Sequence, residues 1–155
     1  MPRTRKCYLG IDPGKKGGLA LLTATGTVIS TMRMPDGKVR ILDVISTLKK
    51  EHAGLIMVVE QSQPMPKQGI VSAFNYGRHF ATFEDAAILL KIVYHTVTPA
   101  VWKRAMQLSK DKNDSFAACR KLFPDVDLIP QGCRKQHDGI AEALLIAEYR
   151  RRKQL

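Results

Sequence analysis

The sequence has too few cysteines for a disulfide framework, and none at the spacing of a zinc cage. Its three, Cys7, Cys119 and Cys133, are odd in number and scattered along 155 residues, a pattern that fits neither use. A reducing, cytoplasmic or otherwise intracellular setting is the expectation. No apolar run is long enough to span a bilayer. The basic start, Met1-Pro2-Arg3-Thr4-Arg5-Lys6, leads into an apolar stretch interrupted by Asp12, Lys15 and Lys16, which does not suit a secretory signal. Repeats, low-complexity tracts and linkers are also missing. The length then points to one domain over 1–155, with a basic tail from about 150. Acids are scarce too: 14 against 25 lysines and arginines, for a net charge of +11. A field of that sign attracts polyanions, because each phosphate neutralised releases a counterion. Charge alone favours a nucleic-acid partner but also allows a basic protein that binds none, so the placement of the few acids decides.

With 45% hydrophobic residues the chain can bury an ordinary core. The stretch 7–12 (CYLGID) reads as a short buried strand, 13–18 as a turn, and 19–22 as a second strand. A third strand is expected over 27–34, after a hairpin turn at Thr25-Gly26. Helical spacing over 39–50 puts Val39, Ile41, Leu42, Ile45 and Leu48 on one side. The run 55–60 (LIMVVE) is an apolar strand ending in a carboxylate. A loop with two prolines, 61–69, precedes a long helix to about 89, and 91–97 alternates like a strand. Helices are expected over 99–106, with Pro99 at its start, over 114–122, with Asp114 as its N-cap, and over 136–152. Buried strands alternating with helices imply a layered α/β domain.

Two strands that read as buried end in an acid, Asp12 and Glu60, and sites in α/β sheets form at the carboxyl ends of strands. Asp138 and Glu142 lie four residues apart on the last helix, about 5–6 Å between Cβ atoms on one face. Leu145, Ile146 and Tyr149 continue that stripe, so both acids are expected to face the protein body. Each acid alone has an ordinary reading: a turn residue for Asp12, a cap for Glu60, a first-turn acid for Asp138, a solvated helix acid for Glu142. Four together require a common cause. Two like charges about 4 Å apart repel by roughly 4 kcal/mol at a surface-like dielectric, and divalent cations remove that penalty. Hard oxygen ligands without a His/Cys cage favour Mg2+ or Mn2+. Two such ions about 3.5–4 Å apart can drive phosphodiester hydrolysis. Setting four of the 14 acids aside leaves 25 basic residues against the remaining ten. An acidic centre in a basic surface suits a nuclease.

These residues resemble a known family. Tyr8-Leu9-Gly10-Ile11-Asp12-Pro13-Gly14 is similar to the first-strand motif of RuvC-type Holliday-junction resolvases, and Val58-Val59-Glu60-Gln61 to their Glu-Gln motif. Ser72-Ala73 with Gly77-Arg78 is similar to the small-residue helix that follows. Trp102-Lys103 and Lys110-Asp111-Lys112 resemble the basic region. His137-Asp138-Gly139-Ile140-Ala141-Glu142-Ala143-Leu144-Leu145 resembles the terminal acidic helix, particularly of the phage and organellar branches. The five motifs stand in the family's order from Tyr8 to about Tyr149. The resemblance implies a ribonuclease-H-like fold: a central mixed five-stranded sheet, three antiparallel strands then parallel ones, flanked by helices. It implies a homodimer that nicks four-way DNA junctions in pairs with two Mg2+ or Mn2+ ions per site, in DNA recombination and repair. It also allows a branch-migration motor as a further partner, and a bacterial, phage or organellar source.

By motif, Asp12, Glu60 and Glu142 are expected to be metal ligands and catalytic, with Asp138 as the fourth. In many members the helix acids stand three apart; here Gly139 fills that position, leaving Asp138 one residue further off, with His137 as a minor candidate. Many relatives carry an aromatic shortly after the Glu-Gln pair, where this chain has Gln63-Pro64-Met65-Pro66. Met65 is the candidate wedge at the junction centre, with Phe74 and Tyr76 as others; Phe74 reads equally as a core residue. Lys15, Lys16, Lys67, Arg78, Lys103, Lys110 and Lys112 are the expected DNA contacts. A C2 dimer is expected on the helix carrying Ala73, Phe74, Gly77, Phe80, Ala81 and Phe83. Three readings compete: an ATPase of the actin and sugar-kinase type, a non-catalytic junction-binding module, and a nuclease of the same fold acting on other branched DNA or on RNA–DNA hybrids.

Overall fold

The computed structural model describes residues 5–153; most of the basic start, residues 1–4, and the end of the tail, 154–155, lie outside the described residues. Three strands, β1 (Lys6–Asp12), β2 (Gly18–Thr23) and β3 (Val28–Arg33), precede helix α1 (Lys38–Glu51). Then follow β4 (Gly54–Glu60), α2 (Ile70–Leu89), β5 (Val93–Val97), α3 (Pro99–Ala105), α4 (Lys112–Leu122) and α5 (Asp138–Lys153). The strand order is β3-β2-β1-β4-β5. The first three pair antiparallel, and β4 joins β1 and β5 joins β4 in parallel. This is the mixed five-stranded sheet expected from the sequence.

Alternation along the strands decides which layer each side chain meets. Cys7, Leu9 and Ile11 of β1 and Leu55, Met57 and Val59 of β4 enter the core under α1 and α2. Val58 faces the other layer, built from α3, α4 and α5 around Trp102, Cys119 and Leu144. Ile11 and Leu21 are fully buried, each contributing roughly 1.5–3 kcal/mol. Cys7 and Cys119 are buried thiols whose pKa values burial raises to about 11 and about 12, so they act as small apolar residues. No helix among the described residues is long and apolar enough to cross a membrane.

Helix α5 lies unusually close to the sheet because glycines remove the side chains between them. A Cβ at Gly10 would collide with the Ala143 carbonyl oxygen, and one at Gly18 would sit 2.8 Å from the Gly139 carbonyl oxygen. Along the helix, 140, 141 and 143–148 are all buried, a pattern of an internal helix rather than a surface one.

Several local expectations are corrected. Val39 is 72% exposed, outside the core stripe of Ile41, Ile45 and Leu48, since a position two residues before Ile41 is about 200° round the helix from it, on the solvent side. The N-cap of α4 is Asp111, whose carboxylate accepts from the Asn113 N–H at 2.9 Å. Asp114 is one turn inside, where its carboxylate accepts from the Ser109 backbone and hydroxyl. The last helix starts at Asp138, two residues later than expected.

Candidate active site

Asp12 and Glu60 end adjacent parallel strands. Ile11 lies beside Val59 in the ladder, so the next residues of each strand emerge side by side, about 4.8 Å apart in the sheet. Their parity matches Gly10 and Val58, so both carboxylates point to the α5 layer. The close approach of α5 over Gly10 brings Glu142 to the same rim. One carboxylate oxygen from each of Asp12, Glu60 and Glu142 lies within 4.8 Å of the others.

Asp138 is outside this trio. Its carboxylate is ion-paired with Lys112, and its side chain is 40% exposed rather than turned to the protein body. Gly139, at the position where many relatives are expected to carry an acid, abuts the turn after β1: a Cβ there would sit 2.5 Å from the Lys16 carbonyl oxygen. A side chain at 139 is therefore sterically excluded. His137 serves the helix start, its Nδ1 accepting from the Ile140 N–H at 3.2 Å; this uses the lone pair that a ligand role at Nδ1 would need.

Partners hold two of the three acids. The indole N–H of buried Trp102 donates to Glu60 Oε2 at 2.6 Å. Lys103 Nζ, the next residue on α3, lies 3.0 Å from Glu142 Oε1, with both side chains largely buried. Burial pushes the Asp12 carboxyl well above its ordinary value, and Glu60, Glu142 and Asp138 push it further; Lys103 opposes them. Burial also raises Glu60, against the Trp102 hydrogen bond, with Glu142 adding to the rise. For Asp138, burial pulls upward but the hydrogen bond and charge of Lys112 outweigh it, leaving its pKa low. The site thus concentrates anions with one lysine among them. Oxygen-only donors at this spacing suit a hard divalent cation.

The backbone around the acids is tied from the opposite layer. Asp12 runs into Pro13-Gly14, where Gly14 adopts φ +114°, a conformation that L side chains rarely adopt. The Gly14 N–H donates to His79 Nδ1 at 2.9 Å. The Tyr76 hydroxyl donates to the Glu60 carbonyl oxygen and accepts from the Ser62 N–H, both at 3.0 Å.

Of the expected DNA contacts, Lys103 is inside the site and Lys112 sits beside it on Asp138. Lys15 and Lys16 are exposed on the turn after Asp12, Lys67 is on the exposed loop before α2, and Lys110 is exposed before α4. Met65 is 68% and Phe74 64% exposed, which corrects the core reading of Phe74; Arg78 stacks over its ring. Phe83 is fully buried and Phe80 packs on the core, so neither is on an outer face of α2. Sequence reasoning placed Trp102 only in a basic segment, and missed His79. A single tryptophan directly before a lysine was the available signal for the first; nothing in the local sequence marks the second.

The strand order and pairing are those of a ribonuclease-H-like fold. No family model matches the chain, and no curated protein matches it by sequence. Among solved structures, the chain is similar to Thermus thermophilus RuvC in complex with a Holliday junction substrate, at TM-score 0.64 and 16% identity over 93% of this chain and 91% of that one. It is similar to the large terminase nuclease of the thermophilic phage G20c at TM-score 0.52 and 13% identity, covering 95% and 82%. It is also similar to the yeast mitochondrial Holliday junction resolvase Ydc2 at 0.51 and 13%, covering 95% and 78%. At these identities the likeness establishes the fold.

Proposed function

We propose that this chain is a metal-dependent endodeoxyribonuclease that resolves four-way DNA junctions by paired nicking, acting as a homodimer. The observation that carries the reading is the meeting of Asp12, Glu60 and Glu142 within 4.8 Å in a chain of net charge +11. Those three residues would hold Mg2+ or Mn2+, with Asp138 as the fourth acid once a cation competes with Lys112 for it. When bound, such ions act as Lewis acids toward water and the phosphodiester.

The protein's own contribution is positioning and charge. Trp102 fixes the orientation of Glu60 through its indole hydrogen bond. Lys103 holds Glu142 in place and sets a positive charge where a phosphate oxygen would approach. Lys15 and Lys16 on the turn after Asp12 and Lys112 on Asp138 stand beside the acids, and with the exposed Lys67, Arg78 and Lys110 they would supply phosphate contacts. Met65 and Phe74, exposed near the start of α2, are the proposed wedges at the junction centre. The exposed Ile70 and Val71 supply the apolar face through which two copies would pair, setting two sites on the two strands to be cut.

The test uses equal amounts of a four-way junction, a flap and an RNA–DNA hybrid, each with Mg2+ or Mn2+. Symmetric nicks confined to the junction are expected. Preference for the flap or the hybrid would move the protein to another role of the same fold, and junction binding without any cleavage would make it a binding module.

A further inference from the structure

Helix α2 packs on the face of the sheet opposite the carboxylates, yet it reaches over the rim to both acid-bearing loops. Tyr76 and His79 stand three residues apart, hence on one side of the helix. His79 holds the Gly14 N–H, two residues after Asp12; Tyr76 bridges the Glu60 carbonyl oxygen and the Ser62 N–H. The β1–β4 ladder ends at Ile11 and Val59. Beyond it, these ties are what α2 offers to hold the two chains at a set separation. The Tyr76 and Phe80 rings are near-parallel with centroids 6.5 Å apart, and the His79 ring meets buried Phe83 edge-on at 5.8 Å. The helix bearing the two ties is therefore itself anchored in the core.

We infer that Tyr76 and His79 are positioning residues, acting through the Glu60–Ser62 and Pro13–Gly14 backbones to set the spacing of the Asp12 and Glu60 carboxylates for a divalent cation. This rests on the proposed metal site but assigns work to residues on the far side of the sheet. A helix whose outer face is exposed and apolar thereby contacts both strand ends. Its inner face reports on the carboxylates without touching them.

The test is calorimetric titration of Mn2+ into the wild-type chain, Tyr76→Phe, His79→Leu and His79→Asn, with melting temperatures in EDTA as the control for folding. Tyr76→Phe keeps the ring and removes both hydrogen bonds. His79→Asn keeps an acceptor near the Nδ1 position, whereas His79→Leu does not. Loss of Mn2+ affinity by about tenfold is expected for Tyr76→Phe and His79→Leu, the lower end for groups that orient ligands, with His79→Asn recovering most of it. With a junction substrate, kcat should fall with the affinity while KM stays within about twofold. Unchanged Mn2+ affinity in folded Tyr76→Phe and His79→Leu would overturn the inference and leave a structural role only. If His79→Leu fails to fold, Tyr76→Phe decides alone. A wild-type chain that takes up no Mn2+ would instead remove the metal site itself, and the inference with it.

Discussion

Helix α5 carries two largely buried acids that are treated in opposite ways. At its C-terminal end Glu148, 4% exposed, is clasped by Arg151 through two hydrogen bonds at 2.7 and 2.9 Å and by Arg152 at 2.8 Å. Burial would raise its pKa, but the hydrogen bonds of the two arginines outweigh it and keep the carboxylate ionised. At the other end Glu142 meets Asp12 and Glu60 with only Lys103 in attendance, and Asp12 is driven strongly toward its protonated form. The chain has cations to spare, so it can neutralise a buried acid where neutralisation serves the fold. The rim is left short of positive charge, which under the proposed function a divalent cation would supply. Buried ions left without partners are expensive, and they persist where function depends on them.

The contrast breaks most sharply by substitution. Glu60→Gln or Glu142→Gln should reduce junction nicking by more than the about 10–100-fold that follows loss of a merely orienting group. Both should leave the chain folded, as a gel assay and circular dichroism would show. Glu148→Gln should do the reverse. It strands two arginines, one of them mostly buried, and is expected to lower stability by about 2–3 kcal/mol, below the range for wholly buried pairs because the arginines are partly exposed. Urea unfolding measures that loss, and nicking per folded molecule should be unchanged.

The two ends should also respond oppositely to pH. Asp12 and Glu60 have raised folded-state pKa values, so the folded state binds more protons and metal-free stability falls as pH rises above their ordinary values, 3.8 and 4.5. Glu148 and Asp138 have lowered values. Their contribution is present above the ordinary range and is lost as pH falls through the folded-state values. Melting in EDTA should therefore pass through a maximum in mildly acidic buffer, and Glu60→Gln should flatten only the alkaline limb. The smallest effect is expected at the rim. Lys15→Ala with Lys16→Ala should weaken junction binding and reduce the salt slope by about one for each phosphate no longer neutralised, while nicking at saturating DNA changes little.

Much of this was legible in the sequence because strand parity is rigid. A strand of period two that ends in Asp12, beside another that ends in Glu60, must present both on one face once Leu9, Ile11, Met57 and Val59 are buried on the other. The order of elements gave the sheet its pattern for the same reason. Helical periodicity is less binding. It set Asp138 and Glu142 on one stripe, but it could not show that Gly139 is pressed against the Lys16–Gly17 backbone, or that Lys112 would draw Asp138 aside. It likewise put Val39 with the core residues of α1 because Val39 is apolar, although a position two residues before Ile41 falls on nearly the opposite face of the helix. Tyr76 and His79 reach the site only through tertiary hydrogen bonds to backbone groups, for which no local pattern exists.

Under the proposed function, the Asp12, Glu60 and Glu142 carboxylates repel one another until a divalent cation joins them. Thermal melting of the wild-type chain and Asp12→Asn at neutral pH, each in EDTA and in Mg2+ or Mn2+, measures it directly. In EDTA the asparagine variant should melt higher than the wild type, by about 2–4 °C for each kcal/mol of repulsion relieved. The divalent ions should raise the wild type and leave the variant almost unmoved. An equal response of both proteins to the ions, or none in the wild type, would contradict the account.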